Sequence, residues 1–280
     1  MSEIRFPTLA RPAREKAPRL RPVHKQRSFA SLRAIGALIL REMATTYGSK
    51  PGGYFWAVAE PVGGIILLTA IFSTGFRSPP MGTNFAIFYA TGMLPFTAFM
   101  QLSGKISNAL TFSKALLAYP AVTFMDAMLA RIFVNVVMQL LVAYLIFTGI
   151  LLLYETRTDP QILGIALAFT MAFVFAVGVG AVNCFMFAAF EWWQFVWAII
   201  TRPLFFLSCI FFIFDDIPQP FQSWLWWNPL VHVVGQMRKS FYPSYAGDYV
   251  SPGYCLAVGL TLMALGFALL HRYHRDLQYS

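Results

Sequence analysis

Six stretches of nearly unbroken apolar residues punctuate the chain, over residues 57–75, 85–103, 132–154, 162–189, 195–214 and 254–270. As helices rising about 1.5 Å per residue, they suit a hydrocarbon core of about 30 Å. None shows the alternation of a membrane barrel strand, and in lipid a helix satisfies its own backbone hydrogen bonds. The pattern predicts an all-α, polytopic membrane protein with six transmembrane helices. Pro95 interrupts the second stretch, and the fifth carries Arg202-Pro203 near its start.

Ahead of the first stretch, residues 28–46 change period. At 100° per residue Phe29, Leu32, Ile35, Leu38, Ile39 and Met43 share one broad face, while Arg33 and Arg41 lie opposite. Glu42 falls inside the apolar arc, so the amphipathicity is imperfect. The segment predicts a helix lying in the membrane interface, broken by Gly48, Pro51, Gly52 and Gly53. Residues 1–27 are rich in Pro, Arg and Lys and lack the apolar run of a signal peptide. They read as a flexible basic cytoplasmic tail able to lie on anionic headgroups, with 28–280 as one transmembrane domain.

Two connecting segments are more than simple loops. Residues 104–130 hold helix-compatible runs broken at Pro120. Residues 215–253 are too apolar for a hydrated loop, and Pro218, Pro220 and Pro229 forbid a single span. Trp224, Trp226 and Trp227 suit an interfacial belt. Two short re-entrant helices are therefore predicted before the last span. Pro229 fits a first helical turn, where its missing N–H costs nothing, and Asn228 can cap it.

Composition agrees with the pattern. Hydrophobic residues make up 58% and charged residues 12%, against about a quarter charged in soluble domains, so lipid must solvate part of the surface. The net charge of +9 is unevenly placed, since 11 of the 21 Lys and Arg residues precede Ala57. Basic residues in front of apolar spans point to the positive-inside rule, not to nucleic acid. With the N-terminus inside, 17 cations fall on the cytoplasmic side and four (Arg77, Arg157, Arg238, Lys239) on the other. Both termini are expected to be cytoplasmic.

Most catalytic chemistry is missing. Gly104-Lys105 is followed by Ile106 and lacks the glycine-rich lead of a nucleotide-binding loop, and Gly48–Gly53 has the wrong order and a proline. ATP use must come from another polypeptide, and no cofactor is expected on this chain. Cys184, Cys209 and Cys255 lie in apolar runs without metal-ligand spacing, and His271 and His274 lack a third ligand, so no metal site is expected. Glu60, beside Pro61 in the first span, is the sharpest intramembrane ionisable group, since such groups are costly in lipid. Snorkelling to the interface is its bland alternative. Asp215-Asp216 with His232 are the best candidates for a membrane-embedded glycosyl- or acyltransferase, without a supporting motif.

Local wording is more specific. "GYFWAVAEP" (Gly53–Pro61) resembles the start of the first span in ABC-2 type permeases of polysaccharide exporters, where a Trp precedes Glu-Pro. "TGMLPFTAF" (Thr91–Phe99) looks like their second span, and "LLAYPAVTFMDAMLAR" (Leu116–Arg131) is similar to their cytoplasmic loop. "NPLVHVVGQMR" (Asn228–Arg238) matches the Asn-Pro…Arg stretch before their last span, departing at Gln236, close to where many members carry Glu. The nearest likeness is to the inner-membrane permease of Gram-negative capsular polysaccharide exporters; O-antigen and teichoic acid exporters share the architecture.

That resemblance implies a bacterial inner-membrane location and an assembly of two copies of this chain with two cytoplasmic ATP-binding subunits, which carry the ATP and magnesium. A lipid-linked polysaccharide would pass between the two copies. A capsule exporter also implies a periplasmic co-polymerase and an outer-membrane pore. Ser113, Lys114, Tyr119 and Pro120 are the expected ATPase-coupling residues. Trp56, Glu60 and Pro61 form the first-span motif, and Trp227, Asn228, Pro229 and Arg238 are expected at a periplasmic gate.

Overall fold

The structure, a computed structural model, describes residues 30–46, 52–112 and 124–279. Its helices are α1 (Ala30–Thr46), α2 (Gly53–Gly75), α3 (Phe85–Ser107), α4 (Phe124–Leu153), α5 (Ile162–Ala189) and α6 (Trp193–Leu207). After a 3-10 turn at Phe214–Asp216 come α7 (Phe221–Leu225), α8 (Pro229–Phe241) and α9 (Pro252–Tyr279). Every regular element among the described residues is helical. Helices α2, α3, α4, α5 and α9 are long and apolar enough to cross a membrane. The expected tail, residues 1–27, lies outside the described residues.

Helix α3 is the most enclosed of the long helices. It packs against α2, α4 and α5, and α5 in turn packs against α9. Antiparallel succession gives the bundle two ends. The proximal end gathers α1, the starts of α2 and α4 and the end of α3. At the distal end α8 lies across α3, α5 and α9. The α5–α9 crossing is close enough that a Cβ at Gly178 would strike the Gly259 carbonyl oxygen. One at Gly259 would come 3.0 Å from the Phe175 nitrogen. Small residues here let two backbones touch, which replaces the hydrophobic drive that lipid cannot supply.

Side-chain caps open two of the helices. Asn84 opens α3 by accepting a hydrogen bond from the Ala86 N–H at 2.8 Å, and Asn228 opens α8 by accepting from the Leu230 N–H at 3.1 Å. Pro229 occupies the first turn of α8 as expected. Two short helices, α7 and α8, thus precede the last long helix. Helix α4 starts at Phe124, ahead of the predicted residue 132. Its first turns carry Asp126 and Arg131, both buried by protein, so hydropathy alone placed the start too late.

The fifth apolar stretch departs from the expected span. Helix α6 stops at Leu207 after 15 residues, about 22 Å, short of a hydrocarbon core of about 30 Å. The chain turns through Cys209, whose φ of 56° is left-handed, and continues as irregular backbone to Phe214. Irregular backbone in an apolar setting persists only where protein satisfies its polar groups. Three groups do so. The Asn228 side-chain amide donates to the Leu207 carbonyl at 3.0 Å. The buried Arg238 guanidinium donates to the Ile210 carbonyl at 2.8 Å and the Phe212 carbonyl at 2.7 Å. The segment also lies on Gly92 of α3, where a Cβ would come 3.2 Å from the Ile210 Cα.

At the proximal end α1 lies on the start of α4, with Leu38 packed against Ala127 and Ala130. Glu42, out of place on the helical wheel, points into this contact. Its carboxylate accepts from Arg131 Nε at 3.0 Å, and Arg131 also donates to the Lys105 carbonyl at 3.0 Å. The guanidinium sits 4.1 Å from the centre of the Phe112 ring. One arginine therefore ties α1, α3 and α4 together.

Candidate functional site

Two features of the bundle combine polar groups with open space. The first is a groove of about 410 Å³ between α2, α3 and α4. Helix α2 supplies Trp56, Glu60 and Pro61, α3 supplies Met93, Thr97, Gln101 and Lys105, and α4 supplies Gln139. The α3 residues recur every four positions and therefore stand on one helical face. Pro61 has no N–H to return to the Ala57 carbonyl, which leaves an acceptor in the same wall. Trp56 is 62% exposed, with an edge-on contact to Phe55. The groove thus offers a carboxylate, an ammonium, two amides, a hydroxyl and an indole face.

The second feature is the distal cap built on α8. His232 is fully buried and bridges three elements. Its Nε2 lies 2.8 Å from the Trp226 carbonyl, and its Nδ1 accepts from the Ser251 N–H at 3.1 Å. These partners require the neutral tautomer that carries its proton on Nε2. Trp226 lies face to face with Tyr254 and sends its indole N–H to the Tyr249 carbonyl at 3.2 Å. Phe214 and Tyr249 stack with ring centres 4.0 Å apart. Arg238, beneath this layer, lies 4.3 Å from the centre of the Phe88 ring.

Residues 33–242 match the ABC-2 type transporter family. This chain belongs to that family. The permease is 30% identical over 235 residues to the polysialic acid transport protein KpsM of Escherichia coli, covering 84% of this chain and 91% of the relative. It is 26% identical to the capsule polysaccharide export inner-membrane protein CtrC of Neisseria meningitidis serogroup A, over 92% of this chain and 99% of the relative. Against BexB of Haemophilus influenzae, a capsule polysaccharide export inner-membrane protein, identity is 23% over 88% of this chain and 93% of the relative. The chain is thus an integral-membrane transport subunit.

The permease brings the first-span motif together with residues that sequence reasoning missed. Trp56, Glu60 and Pro61 line the groove, and Thr97, Gln101, Lys105 and Gln139 complete it. A signal for the α3 set was present in its four-residue spacing. Gln139 offered none, because only packing turns it toward α3. Trp227, Asn228 and Pro229 sit together at the start of α8, where Trp227 is 66% exposed. Arg238 is apart from them, buried and tied to the α6–α7 connection. Ser113, Lys114, Tyr119 and Pro120 lie outside the described residues. Asp215 and Asp216 are exposed, while both His232 ring nitrogens are engaged by backbone, so the three do not form an acid–base set.

The His232 bridge predicts an acid-sensitive cap. Burial pushes the imidazole pKa below its ordinary value. A folded-state pKa below the unfolded value of about 6.5 gives stability that is complete above that pH and falls away as pH drops below it. Protonation would also cancel the bond from the Ser251 N–H. Hydrogen exchange of the α8 amides, corrected for intrinsic rates, should therefore lose protection between about pH 7.5 and pH 5. In His232→Gln that pH dependence should be absent.

Proposed function

We propose that this permease moves a lipid-linked capsular polysaccharide across the bacterial inner membrane, driven by ATP hydrolysis on separate subunits. The groove is the observation that carries the reading. A polyhydroxylated polymer needs hydrogen-bonding walls for its hydroxyls and aromatic faces for its C–H surfaces. Glu60, Thr97, Gln101, Lys105, Gln139 and Trp56 provide both on apolar, spanning helices. The names of KpsM, CtrC and BexB, all polysaccharide or polysialic acid transport proteins, point the same way.

In this reading two copies of the chain face each other, so that each groove becomes one wall of a shared passage. Two ATP-binding subunits dock on α1 and on the connection Gly104–Ala130, to which Ser113, Lys114, Tyr119 and Pro120 belong. The rigid tie of α1 to α3 and α4 through Arg131 supports force transfer from that corner. Both termini then face the cytoplasm. A co-polymerase and an outer-membrane pore would continue the route beyond the distal cap.

Filling the groove tests the proposal. Thr97→Trp should lower surface polysaccharide at least about tenfold while polymer accumulates inside, because a wall residue now occupies the polymer's path. Thr97→Ser should leave export near normal. Surface and internal sugar are measured at matched permease levels. Normal surface polymer in Thr97→Trp would reject the groove as the passage.

A further inference from the structure

A shallow cavity, wide open to its surroundings, lies at the distal end, apart from the groove. Its volume is about 390 Å³, and its walls are Asp215, Gln219, Gln222, Ser223, Trp226 and Tyr249, with Phe214 behind them. The polar side chains are held in a chain of hydrogen bonds. Ser223 Oγ donates to Gln219 Oε1 at 2.6 Å, Gln219 Nε2 to Gln222 Oε1 at 2.7 Å, and Gln222 Nε2 to the Phe214 carbonyl at 3.3 Å. Each amide nitrogen in this relay keeps one further N–H, and Ser223 keeps its lone pairs. The two glutamines are therefore oriented in advance, which lowers the entropic cost of engaging a ligand.

The aromatic wall is different in character. The Trp226 indole N–H is already given to the Tyr249 carbonyl, and the Tyr249 hydroxyl accepts from Tyr245 at 3.2 Å. One face of each ring is already stacked, Trp226 on Tyr254 and Tyr249 on Phe214, and what the two rings add to the cavity wall is apolar carbon. Amide donors and acceptors, an exposed carboxylate and apolar ring carbon together match one ligand chemistry, a pyranose with hydroxyls on its edge and C–H bonds on its face. A phosphate is disfavoured, because Asp215 is anionic and no Lys or Arg lines the cavity.

We propose that this cavity is a saccharide-binding subsite at the distal mouth of the permease, holding one sugar unit of the emerging polymer. The proposal rests on the polysaccharide-export reading for the source of the sugar. Held there, a unit is hindered from sliding back while the next enters the groove. Gln219 and Gln222 supply the edge contacts and Trp226 the face contact.

The test uses the full-length permease in a detergent without a sugar headgroup, with maltohexaose as the probe. Saturation-transfer NMR should show contact to the ring C–H protons in the unaltered protein. In Gln219→Ala/Gln222→Ala, affinity should fall about two- to tenfold for each hydrogen bond lost. Low reactivity of Cys209, buried in the native fold, checks that the variant is folded. Export by the same variant, in complex with its ATP-binding subunits, should slow at equal abundance. Absence of transfer in the unaltered protein, or equal affinity in the folded variant, overturns the subsite. Weakened probe binding with unchanged export overturns the polymer as its ligand. A strain lacking the chain separates the two readings, because normal surface polysaccharide there rejects the export function itself.

Discussion

Arg131→Met should destabilise the permease by about 3–5 kcal/mol, the cost of removing one partner of a buried ion pair. The guanidinium is nearly enclosed, and it holds the Glu42 carboxylate, the Lys105 carbonyl and the Phe112 ring at once. Removing it keeps the Glu42 carboxylate in an apolar contact while deleting the positive charge that faces it. For a protein of this size the thermal midpoint in detergent should fall on the order of 10 °C. The paired variant Glu42→Met/Arg131→Met should recover most of that loss, because an apolar pair of similar volume avoids both desolvation penalties. If the single and paired variants melt together, the Glu42 carboxylate is not what the arginine offsets. Limited proteolysis should show α1 released first in the single variant.

The second large effect is expected from Arg238→Met. It strands the Ile210 and Phe212 carbonyls in the apolar interior, each having lost a hydrogen bond to a charged group worth about 1.5–3 kcal/mol. The irregular 208–213 backbone should then open. Cys209, 1% exposed in the native fold, is a built-in probe of that opening. In a background where Cys184 and Cys255 are alanine, maleimide labelling of Cys209 should accelerate at least about a hundredfold. Arg238→Lys should fall between, since one ammonium cannot reproduce the planar two-carbonyl fork or the stack on Phe88. Unchanged labelling in Arg238→Met would show that the segment holds its shape without the arginine.

Both predictions concern residues whose importance the linear pattern disguised. Glu42 spoils the apolar arc of α1 when the helix is considered alone. It becomes an asset only when α4 supplies Arg131, 89 positions later in the chain. Arg238 was legible as the end of an Asn-Pro…Arg motif and was expected near a gate opening. What the motif could not indicate is that its guanidinium reaches carbonyls 26 and 28 positions earlier. The helical break at Ser208 was illegible for the same reason. Residues 207–214 are mostly apolar and contain neither Gly nor Pro, so hydropathy runs straight through them.

By itself the sequence determined the helical, membrane-spanning class, the approximate position of five long helices, and the local start of α8 at Asn228-Pro229. Each of these follows from short-range physics: the length of an apolar run, the demand that backbone groups be satisfied in lipid, and the cap geometry of adjacent residues. Only the tertiary structure decided where α6 ends, why Glu42 is tolerated, and which polar residues of α2, α3 and α4 share the groove. Those outcomes depend on partners brought together from distant parts of the chain. Whether a buried charge or an unpaired carbonyl is affordable is set by what packs against it, and no window along a single helix contains that neighbour.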